Sequence, residues 1–488
     1  MLLTMPGHRL ESSQINATIR RRWPECVALS VYAGIVALAI PYHEPWADEA
    51  QAWQLARTLS LHDLFKTYIR YEASPGLWHF LLWVMIRAHV TYAGLHWICG
   101  AIAVVAAWFL VFCSPFPRYL RLSLPFTYFL LFQYAVVART YVLVPLLLFA
   151  IALWWKTNPV AVAILLGLLA NISLHAAIIS GGLAILDWRK PGTKRELLLC
   201  AGVLLALYAF AIWTAWPTHD VMASNASRVA HVQSLPFIAK AVDSVDSVIR
   251  PWYLSIAFWI AIALCLGARQ SLRFLFPVLL FAVFSGVVIA MFWHQGLLIP
   301  LVICVLWITW PPFGSRITSY EVIGRVALAA MVVVQILWSG YALRFDHYNA
   351  YSPDTAAAEF LKPLVQRGST IAVTYIHDSD EQAYDAVGIL PYFDHNIYAN
   401  QPESFWWWSY KNSTESRFNS ILPSHPQVVL AETRKSASGA PLNLETPRVE
   451  SLYKSGYRLT NVFCGTIPRR LELWLTSCHL VFQYSGTP

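Results

Sequence analysis

The sequence predicts an α-helical polytopic membrane protein with a C-terminal α/β domain, and composition is the first reason for this prediction. Hydrophobic residues make up 57% of the 488 residues and charged residues only 13%, whereas a typical soluble domain has about 25% charged residues. A soluble globular enzyme of this length needs more charge to cover its surface, so that class is excluded. The 22 Trp, 23 Tyr and 25 Phe residues also exclude intrinsic disorder, because disordered chains are poor in aromatic residues.

The charged residues are unevenly distributed, which predicts two parts of different character. Residues 344–488 contain 12 Lys/Arg and 14 Asp/Glu, a net charge of −2, whereas residues 1–343 contain the other 23 Lys/Arg and 13 Asp/Glu, a net charge of +10. We therefore expect a membrane domain over 1–343 and a water-facing domain over 344–488. The overall charge of +8 then follows from membrane topology and does not indicate nucleic-acid binding.

Apolar runs of about 17–25 residues predict membrane-spanning helices. We expect about eleven spans by this criterion, at residues 23–42, 93–113, 121–138, 141–156, 159–175, 176–188, 196–216, 251–268, 272–292, 295–310 and 324–343. Two outer loops are long, at residues 42–92 and 217–250. Within the first loop, the apolar run 76–87 is too short to cross a membrane and predicts an interfacial or re-entrant helix.

The positions of Lys and Arg predict the orientation of the membrane domain. Arg20, Arg21 and Arg22 precede the first predicted span, so we expect a cytoplasmic N-terminus. With spans alternating from there, 15 of the 23 Lys/Arg of the membrane domain fall on the cytoplasmic side. An odd number of spans then places residues 344–488 outside the cytoplasm. Pro45 and Trp46 follow the first apolar run in place of small residues, which predicts a retained span and not a cleaved signal peptide.

The C-terminal domain is predicted to contain both helices and strands. Helices are expected at 353–364 and 381–387, and strands at 370–375, 428–430 and 471–484. The aromatic run 405–410 is typical of packing at a membrane interface or of stacking on a glycan, and residues 412–414 match a glycosylation sequon. Cys464 and Cys478 are either a disulfide or free thiols, whereas the other six Cys lie in or beside apolar runs as core residues.

Acidic residues of the membrane domain are concentrated in its first outer loop. Five of the 13 fall within residues 44–72, namely Glu44, Asp48, Glu49, Asp63 and Glu72. Pro45 precedes a helix-forming run, so Asp48 and Glu49 lie near a helix N-terminus, where the helix dipole favours ionised carboxylates. These acids indicate either simple capping of an interfacial helix or a reaction centre.

Four short motifs carry the functional prediction. Two lie in the first outer loop, at residues 43–53 and 71–78, and two at outer ends of predicted spans, at residues 138–141 and 293–296. With the architecture, they resemble the GT-C glycosyltransferases, which include the protein O-mannosyltransferases and the aminoarabinose transferases. The resemblance is closest to bacterial members of the dolichyl-phosphate-mannose mannosyltransferase superfamily. The chain departs from their pattern at Ser74, where relatives usually have His, and at Trp293, where they have Arg. His79 is the candidate substitute for that His.

The resemblance implies transfer of a sugar from a polyprenyl-phosphate donor to a hydroxyl group of a glycan, lipid or protein on the outer side of the bacterial plasma membrane. A lipid phosphate leaves without protonation, so the reaction needs one carboxylate to take the acceptor proton and cationic groups to stabilise the phosphate. Direct displacement by the acceptor would invert the anomeric centre.

We expect two catalytic residues, with Asp48 as the general base and Glu49 orienting the acceptor. Arg139 is expected to bind the lipid phosphate. The other expected substrate-binding residues are Glu44, Arg70, Glu72, His79, Tyr141, His175 and His294.

No metal-ligating set is assigned, and no cofactor is predicted apart from the lipid-linked donor. His43, Glu44, Asp48 and Glu49 have suitable donor atoms, but their spacing matches no zinc pattern. A divalent ion held by Glu49 and Glu72 is the alternative to their contact with the acceptor.

Two other functions fit a polytopic membrane protein. A transporter or lipid flippase places ionisable residues at mid-membrane and often has inverted repeats, whereas here the acids lie in a loop. A non-catalytic envelope protein that binds a glycan or a protein accounts for the aromatic run 405–410 but not for the acidic loop. Convergence of Asp48, Arg139 and His294 on one outer-facing cavity would distinguish the enzyme from both.

Overall fold

A computed structural model describes the chain apart from residues 1–11, 73, 187, 189–190, 217–235, 247, 289, 313, 377–384, 404–413, 437–441, 443 and 487–488. The protein is mostly helical, with a small sheet near its C-terminus. The aromatic run 405–410 lies outside the described residues, as do most of the predicted helix 381–387 and of the sequon 412–414.

Helices make up the N-terminal part of the chain, and several are joined by single 3₁₀ or π turns. In chain order they are α1 (Ser12–Ala39), α2 (Ala47–Thr58), α3 (Leu61–Asp63), α4 (Leu77–Arg87), α5 (Tyr92–Trp108), α6 (Arg118–Ser123), α7 (Leu143–Trp154), α8 (Pro159–Ala170), α9 (Leu174–Ala184), α10 (Lys194–Ala215), α11 (Phe237–Val245), α12 (Trp252–Ala268), α13 (Phe276–Val287), α14 (Phe292–Gln295), α15 (Leu298–Thr309) and α16 (Ser319–Tyr348).

Four helical stretches within the described residues are long and apolar enough to cross a membrane: Tyr92–Cys113, Lys194–Ala215, Phe292–Thr309 and Ser319–Tyr348. The shorter apolar helices are Leu77–Arg87, Thr140–Trp154, Pro159–Ala170, Leu174–Ala184, Trp252–Ala268 and Leu272–Val287. The apolar helices are compatible with a membrane protein, and they match the eleven predicted spans only in part.

Some helices are shorter than the predicted spans, because polar capping groups end one helix and begin the next. The predicted span 159–175 ends as α8 at Ala170, and the hydroxyl of Ser173 then caps α9 by accepting a hydrogen bond from the backbone N–H of Ala176 at 3.2 Å. The predicted span 121–138 contains only short turns, such as the π turn Phe129–Gln133. Hydrophobicity alone makes these stretches continuous, whereas a serine at an N-cap position ends one helix and begins the next.

The first outer loop folds back into the protein. Helix α2 is buried along most of its length, and Ala50, Leu55 and Ala56 have no exposed surface. The apolar run 76–87 forms the short helix α4, which packs against α2. The loop is thus held in place as part of the helical core.

The C-terminal part contains helices α17 (Asp354–Gln366), α18 (Thr414–Ile421) and α19 (Pro447–Lys454), and strands β1 (Ile371–Tyr375), β2 (Val428–Ser436), β3 (Tyr457–Arg469) and β4 (Glu472–Tyr484). The sheet order is β1-β2-β4-β3, with β1 parallel to β2 and the other pairs antiparallel. The predicted strands correspond to β1, β2 and β4, whereas β3 was missed. Cys464 on β3 and Cys478 on β4 form a disulfide, which resolves the alternative left open by the sequence.

The C-terminal part docks on helices α1 to α16, called here the membrane part, through the turn and the β4 strand of the β3–β4 hairpin and through a contact with α2. Trp474 packs edge-on against the rings of Phe292 and Trp293, with centroids 5.5 and 5.6 Å away. Arg470, at the hairpin turn, donates a hydrogen bond to the side-chain oxygen of Gln295 at 3.4 Å. On the other side, Arg57 of α2 donates to the carbonyl oxygen of Phe393 at 2.7 Å. These contacts bring β2 and β4 over the start of α2.

Candidate active site

A cavity of about 760 Å³ lies between the membrane part and the C-terminal sheet. Seven of the ten predicted site residues line it: Asp48, Glu72, His79, Arg139, Tyr141, His175 and His294. These residues come from α2, α4, α9, α14 and two connecting segments, so the fold brings together motifs that are far apart in the chain.

Asp48 and Arg139 form an ion pair in the wall of this cavity. The Oδ2 of Asp48 lies 2.9 Å from Nη2 of Arg139, and their side chains are 11% and 16% exposed. Burial disfavours the charge on Arg139, but the Asp48 carboxylate outweighs this effect and raises the pKa of Arg139. The guanidinium therefore stays charged, as arginine does generally.

Aromatic rings surround the Arg139 guanidinium. Its central carbon lies 4.7, 5.2 and 5.7 Å from the ring centroids of Trp293, Tyr141 and Trp46, which is within cation–π range. Nη1 of Arg139 and the indole N–H of Trp46 have no hydrogen-bond partner in the described part of the chain. Both groups therefore keep donor capacity at the cavity wall.

Glu72 and His79 form a second pair in the same cavity. The Oε2 of Glu72 lies 2.9 Å from Nε2 of His79. His79 projects from the first turns of α4, and Glu72 ends the preceding 3₁₀ turn. Ser74, at the position where the GT-C glycosyltransferases usually have His, also lines the cavity. Ser74 and His79 therefore face the same cavity.

His175 and His294 stack face to face in the cavity wall. Their ring centroids are 4.3 Å apart with an interplanar angle of 15°. Nδ1 of His294 accepts a hydrogen bond from the backbone N–H of Met291 at 3.2 Å, which leaves its proton on Nε2. Nε2 of His175 has no hydrogen-bond partner among the described residues. This pair adds ring nitrogens to the wall near Tyr141, whose ring lies 5.6 Å from that of His294.

Glu49 follows Asp48 directly but points into the protein and does not line the cavity. It is 1% exposed. Its carboxylate accepts hydrogen bonds from the backbone N–H groups of Trp46, at 3.1 Å, and Ala138. Nε2 of His43, at 3.3 Å, and Nε2 of His96, at 3.1 Å, complete its contacts. Adjacent positions on a helix face different directions, so the two acids occupy different surroundings.

His43 connects Glu49 to a second buried carboxylate. Its Nδ1 lies 3.2 Å from Asp346 near the end of α16. Burial disfavours a charge on His43, yet Asp346 and Glu49 raise its pKa to about 10. Burial also opposes ionisation of Glu49, but His43 and His96 outweigh it and hold the pKa of Glu49 well below its usual range. The result is a buried hydrogen-bonded network of Glu49, His43, His96 and Asp346, called here the Glu49 network.

Three predicted site residues lie away from the cavity. Glu49 belongs to the Glu49 network, and Glu44 lines a separate cavity of about 900 Å³ with His43 and His96. Arg70 donates a hydrogen bond from Nε to the carbonyl oxygen of Trp216 at 2.8 Å. Arg70 thus links the first outer loop to the residue that follows α10 by a hydrogen bond.

Two sets of residues at this site were not predicted from the sequence. Arg434 of β2 and Trp474 and Leu475 of β4 line the cavity from the sheet side. No local pattern marks them, because their position depends on how the sheet docks. His96 and Asp346 of the Glu49 network were also missed, although an ionisable residue within an apolar helix was an available signal.

The described residues contain no group of three or more His, Cys, Asp or Glu arranged to hold a metal ion. The candidate ligands have other partners, since His43 and Glu49 contact each other and Asp48 contacts Arg139. The cavity instead combines a carboxylate able to accept a proton with cationic and N–H groups able to bind an anion. Comparisons of the chain with known protein families, curated proteins and solved structures found no match.

Proposed function

We propose that the protein is an inverting GT-C type glycosyltransferase, which moves a sugar from a polyprenyl-phosphate donor to a hydroxyl group of a glycan, lipid or protein. The observation that carries this proposal is the Asp48–Arg139 ion pair, at 2.9 Å, in a cavity lined by seven residues chosen from the sequence alone. A base and a phosphate-binding cation are the two groups that this reaction requires.

The reaction follows from where the charges lie. The acceptor oxygen attacks the anomeric carbon while Asp48 takes its proton, and the bond from that carbon to the phosphate oxygen breaks. The bonding electrons leave with the lipid phosphate, whose added negative charge is stabilised by Arg139. Attack opposite the leaving group inverts the anomeric centre. Only one carboxylate is required, unlike in glycosidases, where two carboxyl groups flank the bond.

Unused donors in the cavity wall support a phosphate site. Nη1 of Arg139 and the indole N–H of Trp46 have no partner among the described residues. Arg139 uses its other terminal nitrogen for Asp48, so one guanidinium is able to contact the base and the leaving group together. Such a bridge holds the two reacting ends at a fixed separation, which is a large part of catalysis by proximity.

The other cavity residues suit a sugar and its acceptor. Trp78, Tyr141, Trp293 and Trp474 supply aromatic faces, which offer apolar contact area for a pyranose ring. Glu72, whose Oε2 lies 2.9 Å from Nε2 of His79, is placed to accept a hydrogen bond from a sugar or acceptor hydroxyl. We assign orientation of the acceptor to Glu72 and withdraw it from Glu49, whose carboxylate is turned away.

We also propose that the protein has eleven spans and lies in the bacterial plasma membrane. Its active site then faces outward. The cavity lies at the end of the helices that carries the C-terminal sheet. The disulfide between Cys464 and Cys478 supports an outward position for this sheet, because disulfides persist in oxidising compartments.

Asp48→Asn provides the decisive experiment. The full-length protein is incubated with radiolabelled polyprenyl-phosphate sugars and an extracted cell envelope, and labelled product is counted. We expect at least about a 100-fold loss of transfer, since general-base catalysis contributes about 10²- to 10⁴-fold. Asp63→Asn is the matched control, because Asp63 lies in the same loop and is bonded to Ser60.

Near-normal turnover by folded Asp48→Asn would remove Asp48 from the reaction. Mapping of Asp48 to the cytosolic face would contradict the outward site. Movement of labelled lipid across the membrane without any glycosylated product would support the transporter alternative.

A further inference from the structure

Glu49 connects the two chain segments that carry the Asp48–Arg139 pair. One of its oxygens accepts the backbone N–H of Trp46, two residues before Asp48, at 3.1 Å. Its other oxygen accepts the backbone N–H of Ala138, immediately before Arg139. A single carboxylate thus binds the backbone next to both members of the pair.

The remaining acceptor capacity of Glu49 is filled by two histidines. His43 contacts Oε1 at 3.3 Å and His96 contacts Oε2 at 3.1 Å. A carboxylate offers about four acceptor positions, and four donors occupy them here. With 1% of its surface exposed, Glu49 has no capacity left for a substrate hydroxyl or a metal ion.

The histidines are themselves held in place. His43 lies between Glu49 and Asp346 of α16, 3.2 Å from the latter, and Nδ1 of His96 lies 3.2 Å from the carbonyl oxygen of Tyr92 in its own helix. The Glu49 network therefore joins α2, α5 and α16 to the segment before Arg139. A buried carboxylate is costly unless it is fully paired and hydrogen-bonded, and here both conditions are met.

We infer that Glu49 is a positioning residue, which fixes the separation of Asp48 and Arg139 through the backbone of Trp46 and Ala138. The inference rests on the proposed function, because it assigns a purpose to the geometry of the proposed base and phosphate ligand. The sequence predicted that Glu49 orients the acceptor. The positioning role replaces that prediction, because Glu49 faces away from the cavity.

Glu49→Gln is the informative substitution, because it preserves shape and removes acceptor capacity. An amide has one oxygen and an NH₂ group that only donates. If the amide oxygen takes the place of Oε1, the NH₂ group takes the place of Oε2. The backbone N–H of Ala138 and Nε2 of His96 then face a donor and lose their acceptor. Arg139 is then no longer held, whereas the N-terminal turn of α2 keeps its contact with Trp46.

Two measurements on the full-length protein test the inference. Hydrogen exchange of the peptide containing Ala138 and Arg139 should be slow in the wild type and faster in Glu49→Gln. Binding of a radiolabelled polyprenyl phosphate should weaken about 10-fold, within the coupling range of neighbouring residues. The same substitution in an Arg139→Ala background should weaken binding less than about 2-fold, because the residue through which it acts is gone.

Glu25→Gln is the matched control. Glu25 is a buried carboxylate paired with Arg118 and Arg121, each at 3.0 Å, and it lies outside the cavity. Its substitution should change neither exchange at Ala138 nor lipid binding. If Glu49→Gln does not fold, His96→Gln replaces it, since this change removes one contact and leaves the carboxylate in place.

The outcomes separate this inference from the proposed function. Unchanged exchange at Ala138, or an equal loss of binding with and without Arg139, would overturn the positioning role while leaving Asp48 and Arg139 as proposed. Wild-type lipid binding by Arg139→Ala alone would contradict the proposed phosphate site, and the positioning role would fail with it.

Discussion

The two walls of the cavity differ in the side chains that they supply. The membrane-part wall provides Asp48, Arg139 and the Glu72–His79 pair, whereas the sheet wall provides Arg434, Trp474 and Leu475. Carboxylates that accept protons occur only on the first wall among the described cavity residues. The difference indicates that bond-making chemistry belongs to the membrane part and that the sheet contributes contact surface and charge for recognition.

The walls are also held together by different means. On the membrane-part wall, Asp48 and Arg139 are backed by the Glu49 network, in which every contact is buried. On the sheet wall, Trp474 rests edge-on against Phe292 and Trp293. Ring contacts tolerate small displacements more readily than a buried network of directional hydrogen bonds. The first wall is therefore the rigid one.

Replacement of Arg139 should have the largest effect on binding of the lipid phosphate. Arg139→Ala removes a charged hydrogen-bond donor, worth about 1.5–3 kcal/mol. We expect affinity for a radiolabelled polyprenyl phosphate to fall by about 10- to 100-fold, measured by equilibrium binding in detergent. Arg139→Lys should recover part of the loss, since it restores the charge without the planar fork.

Arg434→Gln on the sheet wall is the counterpart of this experiment. If the sheet wall contacts only the acceptor, lipid-phosphate affinity should stay within about 2-fold of the wild type. If Arg434→Gln and Arg139→Ala weaken lipid-phosphate binding equally, both walls bind the phosphate. The assignment of the sheet wall to acceptor recognition alone would then be wrong.

The rigid wall should also be sensitive to alkaline pH. Although burial opposes its charge, the neighbouring carboxylates raise the pKa of His43 from 6.5 to about 10. The folded protein thus keeps a proton that the unfolded chain loses, so this stabilisation is complete below pH 6.5 and declines as pH rises toward 10. We expect the free energy of unfolding to fall by about 1.4 kcal/mol per pH unit in that window.

Thermal unfolding in detergent across this pH window measures the effect. His43→Gln should be less stable at neutral pH and should show a flatter pH dependence than the wild type. Parallel curves for the two proteins would mean that the His43 proton does not stabilise the fold.

The contrast between the walls also explains what the sequence made predictable. Asp48, Glu72 and Arg139 lie in short motifs whose residue types suggest their chemistry, and all three line the cavity. The different orientation of Glu49 depends on His96 and Asp346, which are 47 and 297 positions away in the chain. An ionisable residue in an apolar helix is unusual in the sequence, but which residue it contacts depends on how the helices pack.

The fold was also predictable only in part. Hydrophobic runs identified helices, and short β-forming runs identified β1, β2 and β4, but the ends of the apolar helices depended on caps such as Ser173. The sheet wall depended on β3, which was missed, because its hairpin with β4 carries Trp474 to the cavity. Prediction thus succeeded where one segment determines the outcome and failed where two distant segments must meet.

Trp474→Ala tests the sheet wall most directly, and its expected effect is smaller than that of Arg139→Ala. Trp474 contributes one aromatic face to the cavity while resting on two others, and such ring contacts are worth about 0.5–1.5 kcal/mol beyond the area that they bury. We expect the KM for the envelope acceptor to rise about 2- to 10-fold with kcat nearly unchanged, because binding is lost equally from the ground state and the transition state. Leu473→Ala is the control, since Leu473 is the preceding residue and is 43% exposed. A fall in kcat without a change in KM would place Trp474 with the reacting groups, and recognition would no longer be confined to the sheet.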